Sequence, residues 1–182
     1  YNAASGVLAF GPGVTAATFT AVINGDVINE CDEAFTVVLS NPVGQDVMIG
    51  NPAAGTILDD DAVQVSVTTV TALDGGAEVN SFLFIVELDK FSTQTVTVDY
   101  TTTDGTATYP GDYTAASGKL TFNPGVMLLT VPVASTGDVV NECDETFSLG
   151  LTNPTGLSCA SVSIGTPSGT ATINDDDAVE VS

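Results

Sequence analysis

Almost everything in residues 1–61 is written a second time in residues 113–177, and this internal repeat constrains the fold more than any other feature. Tyr1-Asn-Ala-Ala-Ser-Gly-Val-Leu-Ala-Phe10 returns as Tyr113-Thr-Ala-Ala-Ser-Gly-Lys-Leu-Thr-Phe122. Pro12-Gly13 returns as Pro124-Gly125, and Gly25-Asp26-Val27 as Gly137-Asp138-Val139. Asn29-Glu30-Cys31-Asp32-Glu33 becomes Asn141-Glu142-Cys143-Asp144-Glu145, and Asn41-Pro42 becomes Asn153-Pro154. The copies close on Asp59-Asp60-Asp61 and Asp175-Asp176-Asp177, with a short insertion near Cys159 in the second.

After each Asp triplet the same restart follows, Ala62-Val-Gln-Val-Ser66 and Ala178-Val-Glu-Val-Ser182. The unit therefore begins just after the triplet. Residues 62–177 read as one complete domain, 1–61 as the C-terminal half of another, and 178–182 as the first strand of a third. A half-domain exposes a sheet edge and an apolar face, so 1–61 is expected to need strands from upstream sequence or from another chain.

Apolar residues in the complete unit alternate with period two, as in Phe82, Phe84, Val86 and Leu88, or Phe147, Leu149 and Leu151. That is the spacing of half-buried strands, and no stretch has the 3.6-residue period of an amphipathic helix. Runs near 63–70, 82–88, 95–102, 118–122, 127–133, 146–152 and 169–174 are separated by Gly, Pro and Asn-Pro signals. The expected class is all-β: tandem seven-stranded antiparallel immunoglobulin-like sandwiches.

The charge balance narrows function. Two Lys against 23 acidic residues, with no His, give a net charge of −21. Such a surface repels phosphate backbones, so nucleic acid is excluded as a partner, and histidine-based catalysis is unavailable. No apolar run is long enough to span a bilayer as a helix, so membrane insertion is not expected. There is no nucleophile paired with a base and no Gly-rich phosphate loop, so an enzyme is not expected.

Divalent cations are the natural counter-charge. Asp138, Glu142 and Glu145 lie in one segment of the complete domain, and Asp175, Asp176 and Asp177 in another. Calcium takes six to eight hard oxygen ligands, and two acid-bearing segments meeting at one pole of a sandwich would supply them. Asp-rich loops are also ordinary solvated turns. The recurrence of both clusters at equivalent positions in both copies favours the ligand reading.

The motifs Asp104-Gly-Thr-Ala107, Gly111-Asp112-Tyr113, Ser117-Gly-Lys-Leu-Thr-Phe-Asn-Pro-Gly125, Glu142 through Phe147, Asn153-Pro154 and Thr172-Ile-Asn-Asp-Asp-Asp177 resemble Calx-β domains. These occur in sodium–calcium exchanger regulatory loops and in long extracellular bacterial repeat proteins. The resemblance covers nearly the whole chain and implies calcium ligands at Asp112, Asp138, Glu142, Glu145, Asp175, Asp176 and Asp177. In the incomplete copy the matching positions are Asp26, Glu30, Glu33, Asp59, Asp60 and Asp61, with a further Asp expected just before Tyr1. The early loop offers only Asp74 or Glu78. Asp104 reads as a turn residue and Tyr113 as core.

Three cysteines define no disulfide framework. A Cys143–Cys159 bridge is one possibility and three small thiols another. The leading expectation is a calcium-stabilised structural module of an extracellular or cell-surface stalk, adhesin or filament. Its partners would be adjacent repeats or neighbouring subunits, with a surface or matrix ligand open. The alternatives are a calcium-sensing regulatory domain and a filament subunit assembled by strand complementation.

Overall fold

The computed structural model describes residues 1–44, 46–73, 80–159 and 161–177, the side chain of Leu73 excepted. Asp74, Glu78 and the expected strand at 178–182 lie outside the described residues. The chain separates into two units, Tyr1–Val27 with Glu33–Ile57, and Ile28–Asp32 with Leu58–Ser182.

In the first unit, β1 (Glu33–Val37) and β2 (Ala53–Ile57) form an antiparallel pair with Glu33 opposite Ile57. Local sequence sets local backbone here just as in the second unit. Val14 N–H donates to the Gly11 carbonyl, closing a turn whose Pro12 and Gly13 sit at the positions a type II turn requires, Gly13 with φ 79°. The repeat places the same turn at Asn123–Val126, where Gly125 has φ 85°. Asn41 and Asn153 likewise share a left-handed backbone, at φ 52° and 50°. What the first unit lacks is cover. Val7, Val43 and Met48 are more than nine-tenths exposed, and among the described residues the buried apolar core lies wholly in the second unit.

The second unit holds β3 (Val63–Val67), β4 (Val70–Leu73), β5 (Ser81–Leu88), β6 (Val96–Asp104), β7 (Ser117–Phe122), β8 (Leu128–Ala134), β9 (Glu145–Gly156), β10 (Val162–Ile164) and β11 (Ser168–Asn174). They form a sandwich of two sheets, ordered β10-β3-β5-β8 and β4-β11-β9-β6-β7. The period-two residues face inward: Val63, Val65 and Val67, then Phe82, Phe84 and Val86, meet Val96, Val98, Phe147 and Leu149 from the other sheet. Phe147 is the hub. Tyr113 stacks on it at 4.1 Å between centroids, and Phe82 and Phe84 approach edge-on at 5.3 Å and 6.0 Å.

Three local expectations need correction. The single strand at 63–70 is two strands, because the chain crosses between sheets after Val67. Gly169 allows that crossing, since a Cβ there would meet the Thr68 carbonyl. The strand expected at 146–152 continues to Gly156. Pro154 cannot donate to a ladder, and left-handed Asn153 absorbs the mismatch as a bulge opposite Thr97–Asp99. The insertion supplies a further strand, β10, so the described second unit has nine strands rather than seven. β10 on β3 and β4 on β11 are parallel, so the sheets are mixed rather than purely antiparallel.

The disulfide also differs from the pairing considered within the second copy. Cys159 bonds Cys31, 128 residues away, with Cα atoms 5.2 Å apart, and Cys143 is a free, exposed thiol. Spacing within one repeat could not reveal this, because the partner sits in the other copy. Under native, non-reducing conditions alkylation is expected to modify Cys143 alone. Labelling of Cys31 or Cys159 before unfolding would contradict the pairing.

Candidate calcium site

Three segments converge at one pole of the sandwich: the Gly-Asp-Tyr turn before β7, the β8–β9 loop, and the end of β11. Together they line an open cleft of about 300 Å³ including its mouth, walled by Asp112, Thr136, Asp138, Glu142, Cys143, Glu145, Ile173 and Asp175. Five of the seven acids singled out in this copy are thus brought together. Asp176 is exposed, while Asp175 and Asp177 on either side are half-buried, as the period-two alternation of an extended chain dictates. Asp177 lies outside the lining, and its carbonyl accepts from the Asn141 amide.

Each wall is held by its own hydrogen bonds. Asp112 Oδ2 accepts from Thr108 N at 2.6 Å and Thr108 Oγ1 at 3.2 Å, and its carbonyl accepts from Thr136 N at 2.9 Å. Asp138 Oδ1 accepts from Val140 N at 2.7 Å, an Asx turn that shapes the loop. Asp104, expected as a turn residue, is instead the last residue of β6, and its carboxylate holds the turn that follows, accepting from Tyr109 N at 3.2 Å and from the Tyr113 hydroxyl at 2.5 Å. Burial, followed by that bond, pushes the Tyr113 phenol up to about 12.

Asn141 and Asp144 position the triplet, and residue-by-residue sequence reading passed over both as participants. Asn141 Nδ2 donates to Asp175 Oδ2 at 3.0 Å, and Asp175 N donates to Asp144 Oδ1 at 3.3 Å. The first copy repeats the arrangement: Asn29 Nδ2 lies 3.5 Å from Asp59 Oδ2 and 2.8 Å from the Asp61 carbonyl, and Asp59 N donates to Asp32 Oδ1 at 2.9 Å. Their place inside the repeated Asn-Glu-Cys-Asp-Glu motif was the available signal.

The electrostatics are uncompensated. Lys90 and Lys119 are the only basic side chains, and they pair with Asp61 at 2.9 Å and Asp99 at 2.7 Å, so neither neutralises the cleft. The Glu145 carboxyl is raised from its ordinary value, first through burial and then through the charges of Asp112 and Glu142. Asp175 Oδ1 is buried and has no hydrogen-bond partner. A buried, unsatisfied carboxylate oxygen among like charges is costly, and a hard cation is the ligand that removes both costs. The oxygen donors fit calcium, whereas the Cys143 sulfur suits softer metals. Among the described residues no group of three or more acids or thiols is already arranged to hold a metal ion.

In the first copy, Asp26 and Glu33 belong to the first unit, and Glu30 with Asp59, Asp60 and Asp61 to the second. Asp61 differs from an open ligand position because Lys90 engages it.

In chelator, the raised titration of Glu145 has a definite sign. A carboxyl with a folded pKa above its unfolded value favours folding at acid pH, and that contribution is lost as pH rises through the folded value. Stability without calcium is therefore expected to rise as pH falls from neutrality toward the carboxylate range. Glu145→Gln should flatten the trend and raise neutral-pH stability. Urea denaturation across this range checks it, and stability falling steadily from neutrality would count against the repulsive cleft.

Comparison with known proteins agrees with this architecture. The family model of the Calx-beta domain matches residues 1–74 and 58–177. Adhesion G-protein coupled receptor V1 of Danio rerio is 27% identical over 179 residues, covering 91% of this chain and 3% of that protein. Sodium/calcium exchanger Calx of Drosophila melanogaster is 34% identical over 119 residues, covering 64% of the chain and 12% of the exchanger. The chain thus spans a small part of either relative. Among solved structures, the apo form of the Calx CBD1 domain superposes with TM-score 0.54 at 27% identity, covering 64% of this chain and 99% of that one. The calcium binding domain CBD12 of CALX1.1 gives 0.53 at 28%, covering 63% and 46%.

Proposed function

The chain belongs to the Calx-beta domain family, and from that premise we propose that its acid-lined cleft binds calcium and so stabilises one module of a serially repeated, extracellular or cell-surface structural array. In this reading residues 62–177 are the complete module, 1–61 the C-terminal half of a preceding one, and 178–182 the start of the next. The observation that carries it is Asp175 Oδ1, buried without a partner in a cleft that no lysine neutralises.

Asp112, Asp138, Glu142, Glu145 and Asp175 are the residues assigned to hold the ion. Bound calcium supplies the positive charge that lets these carboxylates remain ionised together. Asn141 and Asp144 fix the orientation of Asp175, and Asp112 ties the Gly-Asp-Tyr turn to Thr136. Asp177 and exposed Asp176 extend the acidic surface at the module boundary. An oxidising compartment is supported by the Cys31–Cys159 bridge. A structural role is supported by the direct passage from Asp61 into β3 at Val63, without a Gly/Ser spacer.

Similarity to exchanger Calx favours a second reading, a calcium sensor. The calcium midpoint of thermal stabilisation separates the two: a millimolar midpoint matches an extracellular structural site, and a micromolar midpoint a sensor.

A further inference from the structure

The chain contains one loop twice in different surroundings. Ile28-Asn-Glu-Cys-Asp32 and Val140-Asn-Glu-Cys-Asp144 differ only at their first residue. In the first copy Asn29 is fully buried and Ile28, Glu30 and Cys31 are half-buried, whereas residues 140–144 are all exposed. What covers the first loop is the module that follows it, all within the second unit. Asn29 N donates to the Phe91 carbonyl at 3.0 Å, and Thr93 N donates back to the Asn29 carbonyl at 3.0 Å. Ser92 Oγ donates to Asn29 Oδ1 at 3.0 Å, and Cys31 is bonded to Cys159.

We propose that the exposed loop Val140–Asp144 is a plug for a Calx-beta module joined directly after Asp177, inserting Asn141 into that module's equivalent of the Phe91–Thr93 socket and bonding Cys143 to its equivalent of Cys159. The contact is heterologous and head-to-tail, with one loop meeting one socket at every joint, so it propagates along an array. It rests on the serial-repeat reading above but not on calcium. The hydrogen bonds of Asn141 to Asp175 and Asp177 leave its backbone groups available, as those of Asn29 to the first triplet do. Oxidation of the two thiols to the disulfide requires a thiol-oxidising partner such as another disulfide, which accepts the electron pair and the two protons.

Two measurements test this. In the chain as it stands, hydrogen exchange of the Asn29 and Thr93 amides is expected to be roughly a hundredfold or more slower than that of Asn141. Equal rates would remove the socket and with it the proposal. In a chain extended by a second copy of residues 62–177 placed directly after Asp177, non-reducing peptide mapping is expected to link Cys143 to the appended copy's Cys159. The Asn141 amide should become protected even when Cys143 is changed to Ser. Cys143 staying freely alkylatable, with Asn141 still in fast exchange, would overturn the inference. Calcium binding measured on the same extended chain stays a separate readout, so loss of one reading is not mistaken for loss of the other.

Discussion

Phe147→Ala is expected to cost about 3–5 kcal/mol of folding stability, the range for removing a buried aromatic without full collapse of the space it leaves. Phe147 is 1% exposed, and it carries the contacts that join the two sheets: Tyr113 lies against one face, and Phe82 and Phe84 meet it edge-on from β5. A cavity there separates three aromatic partners at once, and domains of this size are typically stable by only ~5–15 kcal/mol. The repeat provides an internal control. Phe35 holds the same place in the first copy, but the ring recorded beside it is Tyr1, tilted at 5.0 Å, and the side chain is only half-buried. Phe35→Ala should cost well under half as much. Urea denaturation of both variants decides the matter, and equal losses would contradict the placement of the core.

Calcium is expected to raise the melting temperature of the folded chain by roughly 10 °C when present at about a hundredfold over its dissociation constant. A ligand at that excess adds about 2.7 kcal/mol per site, and a domain of this size shifts by a few degrees per kcal/mol. Asp175→Asn should remove most of the shift while leaving the chain folded in chelator. The amide keeps the shape of the carboxylate, loses its charge, and can accept from Asn141 as Asp175 Oδ2 does. Asp176→Asn should change the shift far less, because Asp176 stands outside the cleft. A shift that survives Asp175→Asn would place the ion elsewhere.

Much of the fold was legible in the sequence because its information is local. Alternation at Phe82–Leu88 and Phe147–Leu151 fixed which faces are buried, and Pro-Gly marked a turn that the two copies form alike. The features that escaped depend on distant neighbours. The crossing after Val67 is set by how closely Gly169 lets Thr68 approach, and β10 exists because the insertion finds the free edge of β3. Nothing in 63–70 or 161–164 alone announces either. The same division holds at the cleft. Acid spacing marked Asp138, Glu142, Glu145 and Asp175, and the Calx-β resemblance added Asp112, but only packing distinguishes inward Asp175 from outward Asp176. The cysteines show the limit most clearly, since Cys31 and Cys143 share one motif and end in opposite chemical states.

The proposed function depends on calcium being held in the cleft lined by Asp112, Asp138, Glu142, Glu145 and Asp175. Equilibrium dialysis of the folded chain against radioactive calcium, at millimolar concentration and physiological salt, tests it most directly, with the Asp175→Asn chain dialysed alongside. Saturable binding that falls by at least one ion per chain in the variant is expected. Binding that is absent, or that is identical in the two chains, would contradict it.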